Sequence, residues 1–360
     1  MKKKNQKISQ KSCSENSVHD SYNGITNILI VLALPEERKY FHSVISNRKN
    51  WEARSERQLF LAKYHSGSGV VNVWVKTLQG MGHIEAVLGT TSAISAIMPS
   101  IAVMVGIAGS LRPNKVGLGD VVVSNHAKYY ASDKVLDING SLTYKVVDGS
   151  KAIPGDKNYI YVDGRDKFLD NSIFRYERDY ISVESIDDLV SEFEGNLNSC
   201  QLTELNSETL PEKMSDIATT IGKVKVHMGW LLGSHHVVDS GEYRDYLVEK
   251  DDCLNLDIHR QKGDSDRVKW PSSGEILAVD MESYGFLRSV EKLRNTSPRH
   301  GGVTNLAGGI VIRGISDLCE NKGMLDSYTK DSVREIAVHN ATEVALNFIE
   351  KLNYDVVVSN

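Results

Sequence analysis

VLGTTSAISAIMPSIAVMVGIAGSL, residues 87 to 111, runs for 25 residues without a charge. On length alone it could cross a bilayer. Pro99, followed by Ser100, divides it. Before the proline the residues are small and helix-forming; after it they are apolar and partly β-branched, and the residue ahead of a proline is biased away from helix. The stretch therefore reads as a buried helix, a short turn and a buried central strand, which opens at its end onto the glycine-rich GIAGS, 106 to 110.

The flanking sequence fits the same scheme. NILIVLAL, from Asn27, is an all-apolar strand, and Pro35 is placed to open a helix with acids in its first turn. HSGSGVVNVWVKTL reads as a hairpin turn leading into a strand, and QGMGHIEA as a glycine turn that starts the helix of the uncharged run. GLGDVVVSNHAKYY, VKVHMGWLLGS, GEILAVD and GGIVIRGISD add strands. SVREIAVHNATEVALNFIEKL closes the chain as an amphipathic helix. Strands alternating with helices imply an α/β domain with a central mixed sheet. The expected organisation is a polar, disordered tail over 1–24, one domain over 25–352 and a short tail over 353–360. A polar, acidic insertion at about 131–222 interrupts the domain as a small subdomain or a lid, since a structureless loop of that length is uncommon.

Composition narrows the function. The formal net charge is −5 with a pI of about 6.1, which gives no global footprint for nucleic acid or an anionic membrane. Cys13, Cys200, Cys253 and Cys319 lie far apart and form no CxxC pair, so a zinc site and a disulfide framework are disfavoured and a reducing cytoplasm is the expected setting. His235 and His236 invite a metal, but neighbours in a strand point to opposite faces and no third ligand has suitable spacing. No metal and no organic cofactor is expected.

Three buried strands end in polar clusters: Glu36 and Glu37 after the first, Asp280 and Glu282 after LAV, and Arg313, Ser316 and Asp317 in IVIRGISD. In open α/β sheets ligands bind outside such strand ends. Ionised carboxylates are costly to desolvate unless paired, so the clusters belong to buried ion pairs or to a working site. Taken singly, each is weak. Glu36 and Glu37 alone would read as helix N-terminal acids, and Arg313 with Asp317 as an ion pair.

In sequence, LALPEE, QGMGHIEA, VGIAGSL with GLGDVVVS, AVDMES and RGISD resemble the nucleoside phosphorylase superfamily, and within it the methylthioadenosine/S-adenosylhomocysteine nucleosidases. The resemblance covers about 27–130 and 224–352. It implies that Glu37 activates the attacking water, and that Glu282 accepts hydrogen bonds from ribose hydroxyls with Met281 against the sugar. It also implies that Asp317 is the acid at purine N7, supported by Ser316 and Arg313, and that Val237 and Val238 pack over the base. Ile107, Ala108 and Gly109 would line the site through the backbone. Such an assignment makes chemical sense, because breaking an N-glycosidic bond leaves positive charge on the sugar and negative charge on the purine. It requires Asp317 to hold a proton through burial and Glu282 to stay ionised. Asp280 is expected to be a structural partner.

Two departures matter. Ile107 stands where these nucleosidases commonly carry a small polar residue, and VMV and ALPEE lack the basic residues that bind phosphate in the phosphorylases. Hydrolysis is therefore favoured over phosphorolysis, with a phosphorylase and a non-catalytic nucleoside-binding module as rivals. The resemblance further implies a purine, adenine foremost, nucleoside or nucleotide as the small-molecule partner, and a homodimer or higher homo-oligomer. Methylthioadenosine, S-adenosylhomocysteine, AMP and ATP are the candidate substrates, the last two in a nucleotide-depleting antiviral role.

Overall fold

The uncharged run divides where its composition changes. Helix α2 spans His83–Ile97, Met98 ends it in the left-handed conformation with φ 51°, and strand β5 spans Ile101–Ser110. The computed structural model describes residues 27–54, 59–66, 69–129, 144–145, 161–162, 180–183, 186–195, 200, 202–205, 223–234, 236–245, 247–248, 274–296, 305–329 and 332–352. Both expected tails, most of the expected insertion, and His235 lie outside these residues. Among the described residues no helix is long and apolar enough to cross a membrane.

The chain proceeds through β1 (Asn27–Leu32), α1 (Pro35–Ser46), β2 (Trp51–Arg54), β3 (Leu59–Ser66), β4 (Gly69–Thr77), α2 and β5. Next come β6 (Val121–Ser124), β7 (His126–Tyr129), the short ribbon β8 (Tyr144–Lys145) and β9 (Tyr161–Val162), β10 (Tyr180–Ser182) and α3 (Asp187–Glu194). It ends with β11 (Val226–Met228), β12 (Trp230–Gly233), β13 (Ile276–Asp280), α4 (Ser283–Asn295), β14 (Gly308–Asp317), α5 (Lys322–Thr329) and α6 (Ser332–Lys351).

The main sheet is mixed, as expected. β5 is its axis, parallel to β1 on one side and to β14 on the other. GIAGS differs from expectation: it continues β5 rather than forming a loop. The reason is a change of partner. β1 pairs with β5 only as far as Val105, and beyond that β5 bends to pair antiparallel with β13 through Gly109 and Ser110. Backbone groups expected to cradle a ligand are thus used partly by the sheet. GLGDVVVSNHAKYY and VKVHMGWLLGS also differ, each forming two strands broken at Asn125 and Gly229. Their first halves pair with each other at the β14 edge, and their second halves pair with each other beside β13. Pairing therefore closes on itself, from β5 through β14, β6 and its continuation β7, then β12 and β13 back to β5.

Apolar residues of β1, of β5 as far as Val105, and of β14 are wholly buried, as strands covered on both faces require. α1 and α6 cover one side, and α2 with α4 the other. α6 was expected to be amphipathic but is buried on most of its circumference, including Asn340 and Thr342. Asn340 explains this: its amide donates to the carbonyls of Gly119 and Thr203 and accepts the Thr203 N–H, so its outer side is covered by 202–205. A gap opens where β5 leaves β1, and the polar strand ends gather there.

Candidate active site

Glu37 lies in the first turn of α1 and folds back over the end of β1. Its Oε2 accepts the N–H groups of Ala33 at 2.8 Å and Leu34 at 3.0 Å, and its Oε1 accepts that of Ile107 at 3.3 Å. The Ile107 donor exists because β5 has left β1 one residue earlier. A Cβ at Gly106 would collide with Arg313 Nη1 and lie 2.5 Å from Glu37 Oε1, so only glycine lets these two groups approach across the strand. Burial pushes the Glu37 carboxyl above its ordinary value, against the pull of Arg313 and of the three N–H groups.

At the end of β13, Asp280 and Glu282 take different roles. Asp280 accepts the backbone N–H and hydroxyl of Ser283 and, at 2.7 Å, the Nε–H of Arg313. Glu282 accepts the N–H of Gly82 at 2.9 Å, at the head of α2, and Arg313 Nη2 at 3.2 Å. Arg313 is fully buried. It was expected to support Asp317, but it points the other way, towards Asp280 and Glu282, because three strand residues and a register shift lie between it and Asp317. Glu282 was expected to stay ionised; burial and the neighbouring Asp280 and Glu37 charges push it up to about 7, while Arg313 and the Gly82 N–H oppose them.

Asp317, at the end of β14, was expected to hold a proton through burial, with Ser316 and Arg313 in support. It is buried, yet three donors meet it: Lys322 Nζ at 2.9 Å and the Ser316 hydroxyl at 2.9 Å on Oδ2, and the Cys319 N–H at 3.1 Å on Oδ1. Cys319 and Asn321 hold φ of 59° and 52°, a left-handed pair that turns the chain so Lys322 lies against Asp317.

One cavity at the strand ends is lined by Glu37, Ile107, Ala108, Gly109, Val237, Val238, Met281, Glu282, Ser316 and Asp317, all of them picked out from the sequence. Arg313 lies behind this surface. Sequence reading missed Leu34, Met81, His236, Lys322 and Arg334, which also line it. The first two adjoin quoted motifs and were within reach; Lys322 carries no local signal, since its position depends on the left-handed turn. Among the described residues no cluster of His, Cys, Asp and Glu could hold a metal.

The arrangement offers a buried carboxylate at one end able to take a proton from water, an acid–guanidinium group for hydroxyls, and a carboxylate–ammonium pair at the other end. Known proteins carry related sequences and folds. Residues 27–162 match the family model of the phosphorylase superfamily. A 5′-methylthioadenosine/S-adenosylhomocysteine nucleosidase of Chromohalobacter salexigens is 32% identical over 110 residues, covering 30% of this chain and 43% of that protein, so the match spans less than half of the relative's length. A mutant of the corresponding Helicobacter pylori protein, with 5′-methylthioadenosine in its active site, has a TM-score of 0.51 and 16% identity, covering 91% of this chain and 99% of that one. Over residues 27–162 the chain is thus similar to the phosphorylase superfamily, and its fold is similar to that of the H. pylori protein.

Proposed function

We propose that the chain is a purine nucleosidase, a hydrolase that cleaves the N-glycosidic bond of an adenine nucleoside or nucleotide and releases the free base. The carrying observation is that Glu37, Glu282 and Asp317, drawn from three strand ends far apart in sequence, line one cavity. Water attacks the anomeric carbon, and Glu37, whose proton affinity burial raises, takes its proton. Glu282 binds ribose hydroxyls beside Met281 and stabilises positive charge on the sugar, while Val237 and Val238 pack over the ring. Asp317 delivers a proton to the departing purine, with Ser316 holding its carboxylate.

Hydrolysis is favoured over phosphorolysis because Arg313, the guanidinium beside Glu37, is already paired with Asp280 and Glu282. A phosphate there would meet carboxylates of like charge. The nucleosidase names of the similar proteins support the same class. Leu34, Met81 and Met281 on the lining suit the thioethers of methylthioadenosine and S-adenosylhomocysteine; Arg334 suits the phosphates of AMP or ATP, and cleavage of these nucleotides would make the chain a nucleotide-depleting effector. The setting we infer is cytoplasmic, supported by free Cys200 and Cys319.

We also infer a homo-oligomer. Ile84 and Leu88, 70% and 61% exposed, form an apolar stripe on α2 with Val87, and Met81 joins this stripe to the cavity lining. A second copy seated there would complete the site. Incubation with adenosine, methylthioadenosine, S-adenosylhomocysteine, inosine, AMP and ATP, with and without phosphate, reads the function by chromatography. Free base without phosphate is expected; strict dependence on phosphate, or no base from any substrate, would overturn the proposal.

A further inference from the structure

Asp317 is already occupied: its two oxygens receive the Cys319 N–H, the Ser316 hydroxyl and the Lys322 ammonium. Of these three donors the ammonium is the one that can pass a proton on, and it touches Oδ2 at 2.9 Å. We infer that Lys322 is the source of the proton that the departing purine receives through Asp317. The inference rests on the nucleosidase reading and adds to it a residue that acts behind Asp317.

Three features support the assignment. Lys322 and Asp317 line the same cavity, so a base lying against Asp317 lies within a short step of the ammonium. Lys322 is fixed rather than free, since its backbone N–H is held by Asp239 Oδ1 at 2.8 Å and the left-handed Cys319 and Asn321 fold it onto Asp317. A surface salt bridge would not require two residues in a disfavoured backbone conformation. Finally, the lysine side chain is 26% exposed while that of Asp317 is 2% exposed, so Lys322 bridges solvent and the enclosed carboxylate.

The step balances. As the bond between the sugar and the purine breaks, its electron pair passes to the base. An Nζ–H of Lys322 breaks as an O–H forms on Asp317, and that O–H breaks as N7–H forms, which leaves Asp317 a carboxylate and Lys322 a neutral amine. Glu37 takes the proton of the attacking water and releases it to solvent, and the neutral lysine takes one proton up from solvent, which restores the ion pair.

The test uses two substitutions and two leaving groups. Lys322→Met removes the proton and the charge, whereas Lys322→Arg keeps the charge on a group that does not release a proton at working pH. Each is assayed on the best adenine substrate among adenosine, methylthioadenosine and AMP, and on p-nitrophenyl riboside, whose leaving group departs without protonation. Both variants are expected to lose purine turnover by about 100-fold, the scale of a general acid, in kcat rather than KM, while p-nitrophenyl riboside turnover falls by less than about fivefold. Recovery in Lys322→Arg would show a purely electrostatic role and overturn the inference. So would parallel loss on both substrates, or an unaffected Lys322→Met. A wild-type protein that releases no base overturns the nucleosidase reading itself, whereas wild-type turnover with an indifferent Lys322 overturns only the role of Lys322.

Discussion

Glu282 concentrates the electrostatics of the site. Its pKa is raised to about 7 from an unfolded value near 4.5, so between these values the folded state holds a proton that the unfolded state has lost. This contribution is fully present below about pH 4.5 and disappears as pH rises through about 7. It amounts to about 3 kcal/mol when complete. Melting temperature followed from pH 5 to 8 should therefore fall for the wild type, more steeply than in Glu282→Gln; equal slopes would remove Glu282 from the account. Gly106 is the second decisive residue. A side chain there would strike Arg313 Nη1 and Glu37 Oε1, both buried and held by partners. Gly106→Ala should lower turnover by about 100-fold, the scale on which small displacements at a reacting centre act. Unchanged turnover would show that Glu37 need not sit where it does. At this scale the sequence was informative wherever a residue's partner lay in the same motif, as for Ser316 and Asp317. It was silent on Lys322 and wrong on the direction of Arg313, because a left-handed turn and a register shift decide those positions and neither leaves a pattern in residue types.

Among elements, the uncharged run from 87 to 111 was readable because a proline and a change of residue type mark the boundary between α2 and β5. The division of GLGDVVVSNHAKYY and VKVHMGWLLGS was not, since the change of pairing partner at Asn125 and Gly229 creates the break. Strand β2 was missed for a similar reason: four residues at a sheet edge carry too little periodicity to stand out. β14 and α6 approach closely at Gly314, where a Cβ would strike the Ala337 carbonyl. Backbone cannot yield as a side-chain tip can. Gly314→Ala should cost about 3 kcal/mol, at the upper end of overpacking effects, measured by denaturant unfolding; a loss below about 0.5 kcal/mol would mean that α6 shifts freely.

For the whole molecule, the apolar stripe of Met81, Ile84, Val87 and Leu88 carries the expectation of a second copy. Light scattering should give an oligomer for the wild type. Leu88→Glu, which places a charge in that stripe far from the acids, should shift it to monomer and raise KM through loss of the partner's contribution. A wild-type monomer with full activity would remove the oligomer from the proposal. The most direct measurement concerns the acids themselves: the rate of free-base release in phosphate-free buffer by wild type and by Glu37→Gln, with folding checked by melting temperature. The arrangement of Glu37, Glu282 and Asp317 around one cavity predicts release by the wild type and a loss of at least about 100-fold in the folded variant. Equal rates in the two proteins would contradict it.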